Sequence, residues 1–192
     1  MTFDKLADRC LLFIDERKQM LIELLKEAEL EMTRKCNMYE DTKEFTCDGS
    51  ASYGLPSNYK QMIHIKHDGD TLMPVSEADI YFNSDNDVDS GTPSVYYIRN
   101  FGVYLDTKPS SGNISMSYYG TVDGVQDTSS SPSPIIPSIY HRDLCDYAIA
   151  IASAKTNPEL HIKHLQMWGI SLEAIKGEDA DRELIHSVRR EI

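Results

Sequence analysis

From Phe3 to Met38 the chain contains neither glycine nor proline, and its apolar residues recur at helical intervals. Leu6, Cys10, Phe13 and Ile14 are followed by Leu21, Leu24, Leu25, Ala28, Met32 and Cys36. A run of this length without a breaker, carrying one apolar stripe, is a helical segment that must bury that stripe against something else. The charged stretch Asp15-Glu16-Arg17-Lys18 divides it into a short first helix and a long second one, with an aspartate as the expected N-cap.

After Tyr39 the periodicity changes. Short β-prone runs alternate with turn residues to about residue 122, and the expected strands are Glu44–Cys47, Gln61–Lys66, Val95–Arg99, Gly102–Leu105 and Asn113–Tyr119. In the last of these Ile114, Met116 and Tyr118 alternate with Ser115, Ser117 and Tyr119, giving one buried and one more exposed face. Arg99-Asn100-Phe101-Gly102 places Asn and Gly where a tight hairpin forms. The expectation is one antiparallel sheet.

Thr128–Pro137 holds Pro132, Pro134 and Pro137 among serines and reads as an extended connector. Helical spacing then returns from Ile139 to about Ala154, with Leu144, Ala148, Ile151 and Ala152. Asn157-Pro158 restarts it through Leu160, His164, Met167, Trp168, Leu172 and Ile175, and Gly177 is the expected stop. The remainder is charged, with only Leu184, Ile185 and Val188 to bury, and alone reads as a marginal helix or a loose tail.

Neither group of helices covers its stripe alone, so the two must pack together. The expected fold is α+β, a helical bundle formed by N- and C-terminal helices with an inserted antiparallel β-sheet module. Residues 1–39 and 132–176 form the helical body, 40–131 the insert and 177–192 the tail.

Charge bears on partners. The chain has a formal net charge of -12, and residues 40–131 carry 14 acids against 5 bases while both flanks stay near balance. An acidic surface repels phosphate, which argues against a nucleic-acid-gripping groove but leaves a DNA conduit with weak wall contact open. No apolar run approaches the roughly 20 residues that cross a bilayer, and the amino-terminal stretch is too charged for a signal peptide, so the chain is expected to be made in the cytoplasm.

Signs of chemistry are sparse. Cys10, Cys36, Cys47 and Cys145 form no CxxC pair and read as core thiols, with a Cys36–Cys47 bridge as the alternative. His161 and His164, three apart on a helix, point at one metal only if further ligands exist, and none sits at ligand spacing; His64 and His67 fare no better. Asp85-Asn86-Asp87-Val88-Asp89-Ser90-Gly91 resembles the start of a calcium loop, yet its glycine comes one place late and Tyr96 stands at the twelfth position instead of glutamate. No nucleophile elbow, zinc-protease, phosphate-loop or dinucleotide motif occurs. The expectation is therefore no enzyme, no cofactor, no metal and no catalytic residue. Eleven tyrosines, among them Tyr53, Tyr59, Tyr96-Tyr97 and Tyr118-Tyr119, suit sheet cores and subunit interfaces, with sugar or base stacking as the alternative.

Several segments in order carry a resemblance: Tyr53-Gly54-Leu55-Pro56-Ser57-Asn58-Tyr59 before a strand, Leu72-Met73-Pro74-Val75-Ser76, Gly91-Thr92-Pro93-Ser94-Val95-Tyr96-Tyr97-Ile98, Tyr104-Leu105 with a short turn into Ile114–Tyr119, and Ile136-Pro137 with Tyr140-His141 opening a helix. Over roughly residues 50–155 the chain resembles the head-tail adaptor proteins of tailed bacteriophages. The resemblance implies a structural virion protein at the neck. It would form a homo-oligomeric ring, commonly of twelve, that docks on the portal protein, offers an attachment surface to downstream tail or neck proteins, and lets DNA pass without specific binding. It implies assembly in the host bacterial cytoplasm and no membrane partner. The tail residues Leu184, Ile185, Val188, Arg189 and Arg190 are then the candidate portal contacts. Another neck or tail ring role, a stopper or a terminator, is the alternative, and a glycan- or ligand-binding β module on an oligomerisation stem is a second.

Overall fold

The computed structural model describes residues 1–76, 88–123 and 132–188, with the backbone alone for 181–188. The chain is α+β, with four helices and two four-stranded sheets among the described residues. It divides into two compact units: Met1–Tyr39 with Thr121–Ile192, and Glu40–Gly120.

The first unit is helical. Thr2 accepts the Lys5 N–H and caps α1 (Phe3–Cys10). The next helix, α2 (Lys18–Lys35), starts after the charged stretch, but its N-cap is Arg17, whose side chain makes no capping bond; neither Asp15 nor Glu16 takes that place. Lys18, the first residue of α2, instead reaches back to Asp4 at 2.9 Å and Asp8 at 2.6 Å, one turn apart on α1. Phe13, expected on the first helix's buried stripe, lies beyond α1 and is exposed.

A 3-10 turn at Ser138–Tyr140 leads into α3 (His141–Ser153). Asn157 Oδ1 then accepts the Leu160 N–H, and α4 (Pro158–Val188) begins with proline at its first position. Gly177 is not a stop, since α4 runs through it. The residues just beyond it are tied down: Tyr140 donates to Glu178 at 2.8 Å, and the Asn37 N–H donates to Asp179 at 2.7 Å. All four helices contribute to one apolar core, including Leu6 and Cys10, Leu21, Leu25 and Met32, Leu144 and Ile149, and Trp168, Leu172 and Ile175. Burying each large side chain contributes about 1.5–3 kcal/mol.

The second unit holds not one sheet but two. Strands β1 (Glu40–Thr46), β3 (Tyr59–His67), β4 (Asp70–Thr71) and β8 (Asn113–Gly120) form an antiparallel sheet in the order β1-β8-β3-β4. Strands β2 (Ser52–Gly54), β5 (Met73–Pro74), β6 (Val95–Arg99) and β7 (Gly102–Leu105) form the other, ordered β2-β7-β6-β5, with β5 and β6 parallel. Tyr53, Ile65, Tyr96, Val103, Leu105, Ile114 and Met116 come from both sheets and, with Leu72 between β4 and β5, make one apolar cluster.

Two hairpins in this unit have two-residue turns with positive φ at both central positions. Between His67 and Asp70 the pair is Asp68-Gly69, with φ +48° and +97°; between Arg99 and Gly102 it is Asn100-Phe101, with φ +46° and +61°. Aspartate and glycine suit this turn. Phenylalanine does not, because its Cβ crowds the following carbonyl at a cost of roughly 1–2 kcal/mol.

Candidate functional site

Of the histidines considered for metal binding, His161 and His164 are committed to the seam between α3 and α4, whereas His64 and His67 lie on β3, with His67 Nε2 3.2 Å from the Ser111 oxygen. His164 Nδ1 lies 2.7 Å from Asp146 Oδ1, His161 Nδ1 lies 2.8 Å from the Ala150 carbonyl oxygen, and Ser171 donates to Asp143 at 2.8 Å. These three contacts form a ladder along two helices running in opposite directions. Burial pushes the Asp143 carboxyl up, against the lowering effect of the Ser171 hydroxyl. The His164 and Asp146 side chains are 8% and 7% exposed, and the Phe13 ring stands edge-on to the imidazole at 6.1 Å. A serine, a histidine and two aspartates thus occur together, but as packing contacts between helices, without the exposed nucleophile that acyl transfer needs. Among the described residues, no group of three His, Cys, Asp or Glu is arranged to hold a metal. Of the calcium-like run, Asp85, Asn86 and Asp87 lie outside the described residues, while Asp89 accepts the Lys108 N–H at 2.8 Å.

All four cysteines are free and buried, so the Cys36–Cys47 bridge is not formed. Cys36 packs in the helical core and Cys47 in the β core.

The connector is pinned where it is described. The Phe3 N–H donates to the Pro132 oxygen at 3.0 Å, Glu29 Oε1 accepts from both Ile135 N and Ile136 N, and the Ile136 oxygen faces His141 Nε2 at 3.1 Å. Desolvation raises the Glu29 pKa even though the two amides favour its charged form. Burial lowers the His141 pKa, which fits a neutral ring that donates from Nε2 and leaves Nδ1 buried without a partner.

The tyrosines are mostly spent inside the β unit. Tyr53, Tyr96, Tyr97, Tyr118 and Tyr119 are buried, and Tyr97 stacks on Tyr104 at 5.0 Å. The Tyr118 hydroxyl lies 3.0 Å from Asp41 Oδ2 and 2.9 Å from Asn58 Oδ1, tying β8 to β1 and to the turn before β3. Buried rings of this kind are not a stacking platform for sugars.

What remains exposed is apolar and scattered over several elements. Leu12 is 79% exposed after α1, Ile139 74% in the 3-10 turn, Ile170 71% on α4 and Phe101 89% at its hairpin tip. Beside Ile139 lies an open cleft of about 320 Å³ lined by Met38, Pro137, Tyr140 and Glu178. Leu184, Ile185 and Val188 fall on the last turns of α4 by their backbone, whereas Arg189 and Arg190 lie outside the described residues. Sequence reasoning missed Phe101, whose signal was a phenylalanine following asparagine in a turn where glycine is the favoured residue.

No curated protein matches the chain. A family model does, the SU10 adaptor protein, over residues 1–190. That span takes in both units, and a match of this extent places the chain in the SU10 adaptor protein family, a family of structural bacteriophage adaptors.

Proposed function

We propose that the chain is a head-tail adaptor of a tailed-phage virion, a ring of copies, twelve by the resemblance, that docks on the portal and offers the next attachment surface to tail or neck components. The observation that carries this reading is the family match over residues 1–190. The free thiols fit a protein assembled in a reducing host cytoplasm. The exposed apolar side chains at several separate places fit a subunit completed by neighbours on more than one side. In this reading the four helices pack as a bundle and the β module is its insert. The end of α4 and the residues after it, Leu184, Ile185, Val188, Arg189 and Arg190, contact the portal, each weakly, and the ring multiplies the attachment. The acidic middle segment either lines the DNA passage, where repulsion keeps the polymer sliding, or meets a basic face on the next ring.

The test is co-assembly. The purified full-length chain mixed with portal rings of the same phage should give a complex in which both proteins appear in fixed ratio by native mass spectrometry. Truncation after Asp179 should weaken it at least tenfold while leaving the fold intact. A chain that binds tail tube and ignores portal would replace the reading with a stopper or terminator role.

A further inference from the structure

We infer that Phe101 of one copy seats in the cleft bounded by Met38, Pro137, Ile139 and Tyr140 of a neighbouring copy, joining copies through unlike surfaces. The inference rests on the ring reading above and assigns it a contact.

The first observation is a residue that costs the fold more than it returns. The two hairpins of the β unit share one turn geometry, and Asp68-Gly69 fills it with residues that suit it. At the other, a phenylalanine is held at φ +61° with its ring 89% exposed. It takes the left-handed strain and leaves a large apolar surface in water, while glycine would relieve both. A strained, exposed aromatic at a hairpin tip is a knob whose complement lies on another molecule.

The second observation is that the same chain carries a matching hole. The cleft in the helical unit has a volume of about 320 Å³, with methionine, proline, isoleucine and tyrosine on its walls. A cavity of about 150 Å³ lined by apolar side chains accommodates benzene, so a phenylalanine side chain has ample room. Ile139 at its rim is 74% exposed and, like Phe101, an apolar surface left to solvent. The charges agree as well: Arg99 precedes the knob's turn, and Glu178 lines the hole. Because the knob lies in the β unit and the hole in the helical unit, each copy uses one on either neighbour, the type of contact that closes into a ring when the rotation permits.

The experiment uses the full-length chain and two variants, Phe101→Gly and Ile139→Asp, followed by sedimentation across concentration and by thermal unfolding. Phe101→Gly should melt a few degrees higher than the parent, showing an intact fold, and should self-associate at least tenfold more weakly. Ile139→Asp should associate equally weakly. An equimolar mixture of the two should form dimers that grow no further, since one intact knob meets one intact hole between them. Unchanged association of Phe101→Gly, a mixture that stays monomeric, or a parent chain that never self-associates would each overturn the inference. Portal binding, measured in parallel, separates the two claims: a parent that binds portal while both substitutions leave its assembly unaltered defeats the knob-in-hole contact alone. Loss of portal binding by the parent defeats the adaptor reading.

Discussion

His164 Nδ1 and Asp146 Oδ1 meet at 2.7 Å across the α3–α4 seam, with both side chains buried. Removing one partner strands the other away from water, so Asp146→Ala should cost about 3 kcal/mol. In a double-mutant cycle with His164→Ala the coupling should exceed about 1 kcal/mol, measured by denaturant unfolding. Additive effects would mean that the contact does not hold the two helices together.

Glu29 offers a separable test of charge against hydrogen bonding, because both amides it accepts reach the same oxygen, Oε1. A glutamine oxygen can serve both. Glu29→Gln should therefore be at least as stable as the parent at pH 7, whereas Glu29→Ala, which leaves two donors unpaired, should lose about 2 kcal/mol. The sign with pH follows from the raised pKa. The folded protein holds this proton more tightly than the unfolded chain, so the contribution is greatest below the ordinary value of 4.5 and falls as pH rises through the folded value. Glu29→Gln should remove that fall from a plot of unfolding free energy against pH.

The sequence was most readable where structure is local. Val95–Arg99 and Gly102–Leu105 have the expected bounds because β-branched and aromatic residues flank a tight turn. The second sheet escaped notice because its edge strands β2 and β5 span only three and two residues, too few to show a period of two, and exist only through pairing with distant strands, such as Ser52 with Tyr104 and Met73 with Val95. Gly177 misled for a related reason. Its local stop signal is outweighed by the bonds from Asn37 to Asp179 and from Tyr140 to Glu178, which no window around residue 177 contains. Of the candidate surfaces, the apolar residues late in α4 stood out in the sequence. The cleft did not, since Met38, Pro137 and Glu178 converge only after folding.

His141 makes stability depend on acidity in the opposite direction to Glu29. Burial lowers its pKa below 6.5, with the nearby amino terminus contributing, while the hydrogen bond to the Ile136 oxygen pulls the other way. The unfolded chain therefore takes up the proton first as pH falls, and stability is full above 6.5 and declines through the window between 6.5 and the lowered value. Denaturation midpoints collected from pH 7.5 downward should show this decline in the parent and a shallower one in His141→Gln. Equal slopes would mean that the imidazole is free to charge in the folded protein.

Gly177 gives the sharpest check on the course of α4. A glycine that ends a helix usually adopts the left-handed conformation, where alanine is strained and destabilising. Inside a helix the preference reverses, because alanine restricts the unfolded chain and favours the helical backbone by about 1 kcal/mol. A Cβ built at Gly177 meets nothing within 4 Å, so no clash opposes the gain. Gly177→Ala should therefore raise the melting temperature by a few degrees, and Gly177→Pro should lower it sharply by removing a helical hydrogen bond and freeing Glu178 and Asp179 from Tyr140 and Asn37. Destabilisation by alanine would restore glycine as the helix stop and detach everything after it from the helical unit.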